Sequence, residues 1–150
     1  MLLKLSKLLE ILAFKLRQKS LYFELKHYLK SNQSYFKRIH YYERGMGKTY
    51  SLIKLAKKFK CPIAVKTESS VNYIRRMCRD LHIKDIRIIP CNNSFRGRKF
   101  DKILCEEDID EDFINEVLKP ACKCLVGYMN IDTYNNKNKF KQEYECIWTK

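Results

Sequence analysis

Strand-like and helical segments alternate between residues 35 and 130, and this alternation constrains the fold more than any other feature of the chain. The strand-like segments, rich in β-branched and other apolar side chains, are 35–42, 61–67, 85–90, 101–105 and 122–130. The helical segments, with apolar side chains at three- and four-residue steps, are 48–59, 68–83 and 111–119. This order predicts an α/β fold with a mostly parallel sheet of about five strands, covered by helices on both faces.

A basic, leucine-rich segment precedes the alternation. One helix face is predicted from the spacing of Leu2, Leu5, Leu9, Leu12 and Leu16. A second helical stretch is expected at about 20–31. We therefore expect a helical extension over 1–34, followed by the α/β domain over 35–150. The extension can pack on the sheet, bind a protein partner or lie on a membrane surface, but charged residues interrupt its leucines, so no membrane span is predicted.

The charge of the chain is unevenly distributed. The formal net charge is +14, and residues 1–60 alone carry 15 basic and 3 acidic side chains, whereas residues 101–150 carry 7 and 11. A basic excess of this size attracts nucleic acid, nucleotides or an anionic membrane. The alternative explanation is the composition of an AT-rich genome, because lysine, asparagine, isoleucine and tyrosine are all frequent.

The seven cysteines indicate a reducing compartment. Their number is odd, and no C-x-x-C pair is present; the nearest pair, Cys122 and Cys124, falls in a strand-like run where packing explains it. We therefore expect neither a zinc site nor a disulfide framework. The expected location is the cytoplasm, that of a bacterial host if the protein is phage-encoded.

The stretch ERGMGKTY (43–50) lies between a predicted strand and a predicted helix, as a phosphate-binding loop does. Backbone N–H groups and the helix N-terminus would hold phosphates, lysine would reach the outer phosphates, and threonine would join the Mg²⁺ shell. The predicted ATP-binding residues are Arg44, Gly45, Met46, Gly47, Lys48, Thr49 and Tyr50. Tyr42 stands where G-x-x-x-x-G-K-[ST] has its first glycine, so the alternative is a helix start that contains Gly-Lys-Thr.

A second half of such a site follows an apolar strand at 103–105. Glu106 would hold Mg²⁺ together with Thr49, and Glu107 would orient the attacking water as a catalytic residue. The alternative is a solvated acidic helix start, because carboxylates favour helix N-termini.

These residues resemble the ATPase core of phage terminase large subunits and their helicase-like relatives. The resemblance covers roughly residues 36–130. Its motifs, in the order of that family, are RGMGKT (44–49), CPIAVKTESS (61–70), FRGRKFDKILCEE (95–107) and CLVGYMN (124–130). It implies a P-loop NTPase fold that uses ATP and Mg²⁺, and a catalytic role for Arg44 on the γ-phosphate.

The chain departs from the family at two places: Glu106 replaces the usual Asp, and Tyr128-Met129 replace a small hydroxyl pair. The first loop glycine, which Tyr42 replaces here, is often absent from that family too. We also expect no terminase nuclease domain, because the 150 residues extend little beyond the ATPase-like core. A small stand-alone ATPase-like protein of a phage or mobile element is therefore expected, rather than a complete packaging motor.

Basic residues outside the loop are candidates for unspecific nucleic-acid binding: Arg75, Arg79, Arg96, Arg98 and Lys99. Arg75 and Arg79 share a helix face, and the 96–99 loop is expected near the nucleotide mouth. Two functions remain open. One is a weak or partner-dependent ATPase, alone or as a homo-oligomer, that acts on nucleic acid or a phage nucleic-acid machine. The other is a non-catalytic protein that docks on DNA, RNA or a protein through its basic surface.

Overall fold

Five parallel strands form a single sheet in the order β1-β5-β4-β2-β3. The computed structural model describes residues 2–40, 43, 47–92 and 95–132. The strands are β1 (Tyr35–Ile39), β2 (Ile63–Val65), β3 (Ile88–Pro90), β4 (Phe100–Cys105) and β5 (Cys122–Asn130). The helices are α1 (Leu2–Ser31), α2 (Lys48–Phe59), α3 (Glu68–Asp80), α4 (Glu111–Phe113) and α5 (Lys119–Ala121), and a π-helical turn (Ile114–Leu118) joins the last two. The predicted α/β class with a parallel sheet is confirmed.

Helices cover both faces of the sheet, and each face has its own core. On the first face, α1, α2 and α3 pack against inward residues such as Ile63, Val65 and Val126. On the second face, the helical segment 111–121 and the loop around Phe95 pack against residues such as Ala64 and Leu125. Neighbouring residues of one strand thus enter different cores, as the two-residue period of a strand requires.

The segment 2–31 is one continuous helix, not two. It contains neither glycine nor proline, so nothing in the local sequence ends the helix near residue 17. Only its second half joins the domain: Leu21, Leu25 and Leu29 are buried in the first core, whereas residues 3–17 are exposed. At about 1.5 Å per residue, the exposed part projects about 22 Å. We call residues 3–17 the overhang.

Three of the strands, β1, β2 and β3, are shorter than their apolar segments suggest. The predicted strand 85–90 contributes only Ile88–Pro90, because Asp85 takes a left-handed backbone conformation and interrupts it. Helix α2 has the predicted bounds. Among the helices that the structure describes, none is long and apolar enough to cross a membrane.

Candidate functional site

The carboxyl ends of the strands meet at one edge of the sheet and carry most of the predicted nucleotide-site residues. Helices α2 and α3 follow β1 and β2 on the first face, whereas the chain leaving β4 continues on the second face. β2 and β4 are neighbours in the sheet, and the segments that follow them go to opposite faces. A crevice therefore opens between the carboxyl ends of these two strands. In open α/β sheets a crevice of this kind is the usual place for a ligand.

Gly47 starts α2 at this edge in a conformation that favours glycine. Its φ of 77° is left-handed, and its carbonyl oxygen accepts hydrogen bonds from the backbone N–H and the hydroxyl of Ser51. A Cβ atom at Gly47 would overlap the side chain of Gln18 on α1. The second half of α1 therefore packs directly against the start of α2.

The Lys48 side chain is buried and holds two parts of the edge together. Its Nζ atom lies 2.8 Å from Oε2 of Glu107 and donates a hydrogen bond of 2.7 Å to the carbonyl oxygen of Glu43. Only 8% of Lys48 is exposed. Since a cation in the first turn opposes the helix dipole, and α2 has no acidic residue in that turn, the Glu107 carboxylate compensates for an otherwise unfavourable position.

Glu106 lies in the crevice between β2 and β4. Its backbone N–H donates to the carbonyl oxygen of Ala64 at 3.0 Å. Its Oε2 atom is shielded from solvent and has no hydrogen-bond partner among the described residues. Burial raises the pKa of Glu106 to about 6, the charges of Asp108 and Glu107 add to this, and a hydrogen bond from Ser70 opposes it. This carboxyl is therefore poorly solvated as an anion.

The remaining predicted loop residues are only partly described. Thr49 is half-buried in the first turn of α2, directly after Lys48. Tyr50 faces the groove between α1 and α2, where its ring lies 4.9 Å from Nζ of Lys54. The predictions for Arg44, Gly45 and Met46, and the place of Tyr42, lie outside the described residues.

Three residues of this edge escaped prediction from the sequence. Glu43 closes the turn after β1: its carboxylate accepts from the His40 backbone N–H at 2.6 Å, and its carbonyl oxygen accepts from Lys48. Gln18 covers Gly47 from a helix 29 residues earlier in the chain. Tyr128 is buried beside α1 and α2, and burial raises its pKa. Glu43 had a local signal, its place directly before the loop, and Tyr128 stood out in the sequence only as a departure from the terminase pattern.

The nucleic-acid candidates fall into two separate places. Arg75 and Arg79 are exposed on α3 and line a groove of about 690 Å³ beside β3. Arg96, Arg98 and Lys99 directly precede β4, and Nζ of Lys99 donates to the Pro120 carbonyl oxygen at 2.7 Å. Residues before a parallel strand lie at its amino end. Contrary to expectation, this basic loop therefore lies at the sheet edge opposite the nucleotide mouth.

The residues of the carboxyl edge include oxygen atoms of the kind that Mg²⁺ binds. Mg²⁺ prefers oxygen ligands and usually takes one or two carboxylates, with phosphates and waters completing its shell. The unpartnered Oε2 of Glu106 and the hydroxyl of Thr49 supply such oxygens. The described residues contain no group of three or more His, Cys, Asp and Glu side chains placed to hold a metal ion. An ion that is held largely by phosphates needs no such group.

Comparisons of the chain with protein-family models, with curated proteins and with solved structures found no match.

Proposed function

We propose that the protein binds ATP with Mg²⁺ at the carboxyl edge of its sheet. One observation carries the proposal: the buried Lys48 ammonium at the N-terminus of α2 is paired with Glu107, beside the poorly solvated carboxyl of Glu106. A lysine, a helix N-terminus and two carboxylates after a neighbouring strand are the groups that phosphoryl chemistry needs together. Glu106 and Glu107 follow Lys48 by 58 and 59 residues in the chain.

Each residue has a distinct task in this proposal. Lys48 leaves Glu107 and binds the outer phosphates, while Gly47 and the α2 N-terminus receive them through backbone N–H groups. Thr49 and Glu106 would hold Mg²⁺, which would neutralise phosphate charge. Glu107, released from its ion pair, orients the attacking water. Arg44 would neutralise charge on the γ-phosphate, as the resemblance to terminase ATPase cores implies.

The coarse fold supports this proposal. A five-stranded parallel sheet with a loop–helix unit after β1 is compatible with a P-loop-like architecture. In the strand order, β5 lies between the strand before the loop and the acidic strand β4. The chain would then work on nucleic acid, or on a phage nucleic-acid machine, through Arg75 and Arg79 of α3.

The Lys48–Glu107 pair also favours a second candidate, a binding protein that does not hydrolyse ATP. While Glu107 holds the lysine, its Oε2 atom is engaged 2.8 Å from Nζ. If this pair persists with nucleotide bound, Glu107 orients no water. The protein would then act by docking through its basic surface, with the nucleotide as a structural ligand.

Substitution of Glu107 by Gln separates the two candidates. For an ATPase, Glu107→Gln abolishes phosphate release, while a thermal-shift titration still detects stabilisation by Mg·ATP. For a binding protein, wild type shows no phosphate release, with or without DNA. If Mg·ATP stabilises neither the wild type nor the Glu107→Gln variant, both candidates are refuted.

A further inference from the structure

A row of side chains runs along α1, and its C-terminal part borders the groove between α1 and α2. Leu5, Leu8 and Leu12 form its apolar half, with exposed fractions of 55%, 54% and 49%. The row continues in steps of three and four residues through Lys15 and Lys19. Phe23 and Lys26 extend it over the domain. We call these seven residues the outer row.

The outer row cannot fold back onto the sheet. Phe23 is two residues from Leu21 and two from Leu25, and two residues correspond to a rotation of about 200° around the helix axis. Leu21 and Leu25 are buried, whereas Phe23 is 58% exposed. Glu10 lies two positions before Leu12 and so points away from the row. Among the residues that the structure describes, none therefore covers the apolar half, and no carboxylate lies in its line.

Lysines of α2 add positive charge beside the cationic half of the outer row. Lys15 and Lys19 line a groove of about 660 Å³ together with Lys54, Lys57 and Lys58. None of the described residues lining this groove is acidic. The pKa of Lys26 is lowered by desolvation and by the nearby charges of Lys58 and Lys30, as expected where cations gather without counter-charges.

We propose that the outer row and the α2 lysines bind the surface of an anionic lipid bilayer. A bilayer of this kind presents negative headgroups and, just beneath them, hydrocarbon along the whole length of a helix. The lysines contact the headgroups, and Leu5, Leu8 and Leu12, with Phe23, enter the interface. A second copy of the chain would bring lysines against lysines over the cationic half. Nucleic acid would leave the leucines uncovered. Only the bilayer complements both halves.

Cosedimentation with vesicles tests this proposal. The full chain should bind vesicles of phosphatidylcholine with phosphatidylglycerol, and vesicles of phosphatidylcholine alone only weakly. Leu5→Gln, Leu8→Gln and Leu12→Gln together should lower the partition coefficient by roughly 100-fold. The matched control is Leu3→Gln with Ile11→Gln, two exposed apolar positions off the row, and it should bind like wild type.

The charge requirement has its own matched pair of variants. Lys54→Gln, Lys57→Gln and Lys58→Gln together should lower binding to anionic vesicles by roughly 100-fold, at about fivefold for each lysine. Arg75→Gln with Arg79→Gln on α3 should change it far less. All substituted positions are exposed, so circular dichroism and thermal melting should match wild type.

Three results would overturn the proposal. The first is no binding of wild type to anionic vesicles. The second is a dimer in analytical ultracentrifugation that the leucine variant converts to monomer, which would assign the row to a second copy. The third is salt-sensitive binding of oligothymidine through the α2 lysines without vesicle binding. None of these variants changes Lys48 or Glu107, so the outcome is independent of the nucleotide proposal.

Discussion

Replacing Glu106 by Gln should stabilise the protein at neutral and alkaline pH. Burial raises the pKa of this carboxyl from its ordinary value of 4.5 to about 6. The folded protein therefore binds the Glu106 proton more tightly than the unfolded chain does. Ionisation of Glu106 opposes folding, and a neutral amide of nearly the same shape removes that cost.

The magnitude follows from the size of the pKa shift. One pKa unit corresponds to about 1.4 kcal/mol, so the shift amounts to about 2 kcal/mol. Below pH 4.5 the carboxyl is protonated in both states and costs nothing. The cost grows as the pH rises from 4.5 to 6 and is complete above that range. The Glu106→Gln variant should thus match wild type at about pH 4 and exceed its free energy of unfolding by about 2 kcal/mol at about pH 8.

Urea unfolding across this pH range measures the difference directly. Glu116→Gln, the same substitution at an exposed position, is the control and should follow wild type at every pH. A Glu106→Gln protein that is less stable than wild type at about pH 8 would refute the reasoning, because it would mean that the ionised carboxylate is well solvated or paired. A difference independent of pH would refute it equally.

Two further predictions concern the packing of the site and of α1. Gly47→Ala should lower the free energy of unfolding by about 1–2 kcal/mol, because φ is 77° and the added Cβ meets Gln18; urea unfolding measures this, and an unchanged midpoint would contradict it. Leu25→Ala should cost about 2–5 kcal/mol in the same assay, because Leu25 is fully buried, whereas Leu9→Ala, 58% exposed on the same helix, should stay within about 0.5 kcal/mol. Equal costs at the two leucines would mean that the overhang packs on the domain.

The class of the fold could be predicted because it depends on local periodicity. The twelve residues of α2 have apolar side chains at helical spacing. Gly47 precedes the helix and Lys60 follows it, both with a left-handed backbone conformation, so the helix begins and ends where the pattern does. β5 was predicted with its observed bounds because its nine residues have no internal break. The order of the strands is a non-local property, which periodicity does not determine.

The exposure of α1 shows where periodicity is insufficient. The leucines at 5, 9, 12 and 16 share one face, which predicts a buried stripe, but all are about half exposed or more. The helix continues without a break into Leu21, Leu25 and Leu29, and these buried leucines determine which way it faces. The rotation of the overhang is thus determined by packing outside it, at Leu21, Leu25 and Leu29.

The candidate site was predictable in part. Lys48 and Glu107 belong to two local patterns, a loop before a helix and acids after a strand, and the parallel sheet brings both to one edge. The contribution of Gln18 depends on how α1 crosses α2, which no local pattern encodes. The position of Arg96 and Arg98 was predictable, since residues directly before a parallel strand lie at its amino end.

The central claim is that Lys48 binds the phosphates of ATP, and isothermal titration calorimetry with Mg·ATP tests it most directly. We predict that wild type binds with a stoichiometry near one and that Lys48→Ala loses this binding. Lys54→Ala removes the same charge from an exposed position on the same helix and should bind like wild type. No heat of binding for wild type at millimolar Mg·ATP, or equal binding by the Lys48→Ala variant, would contradict the account.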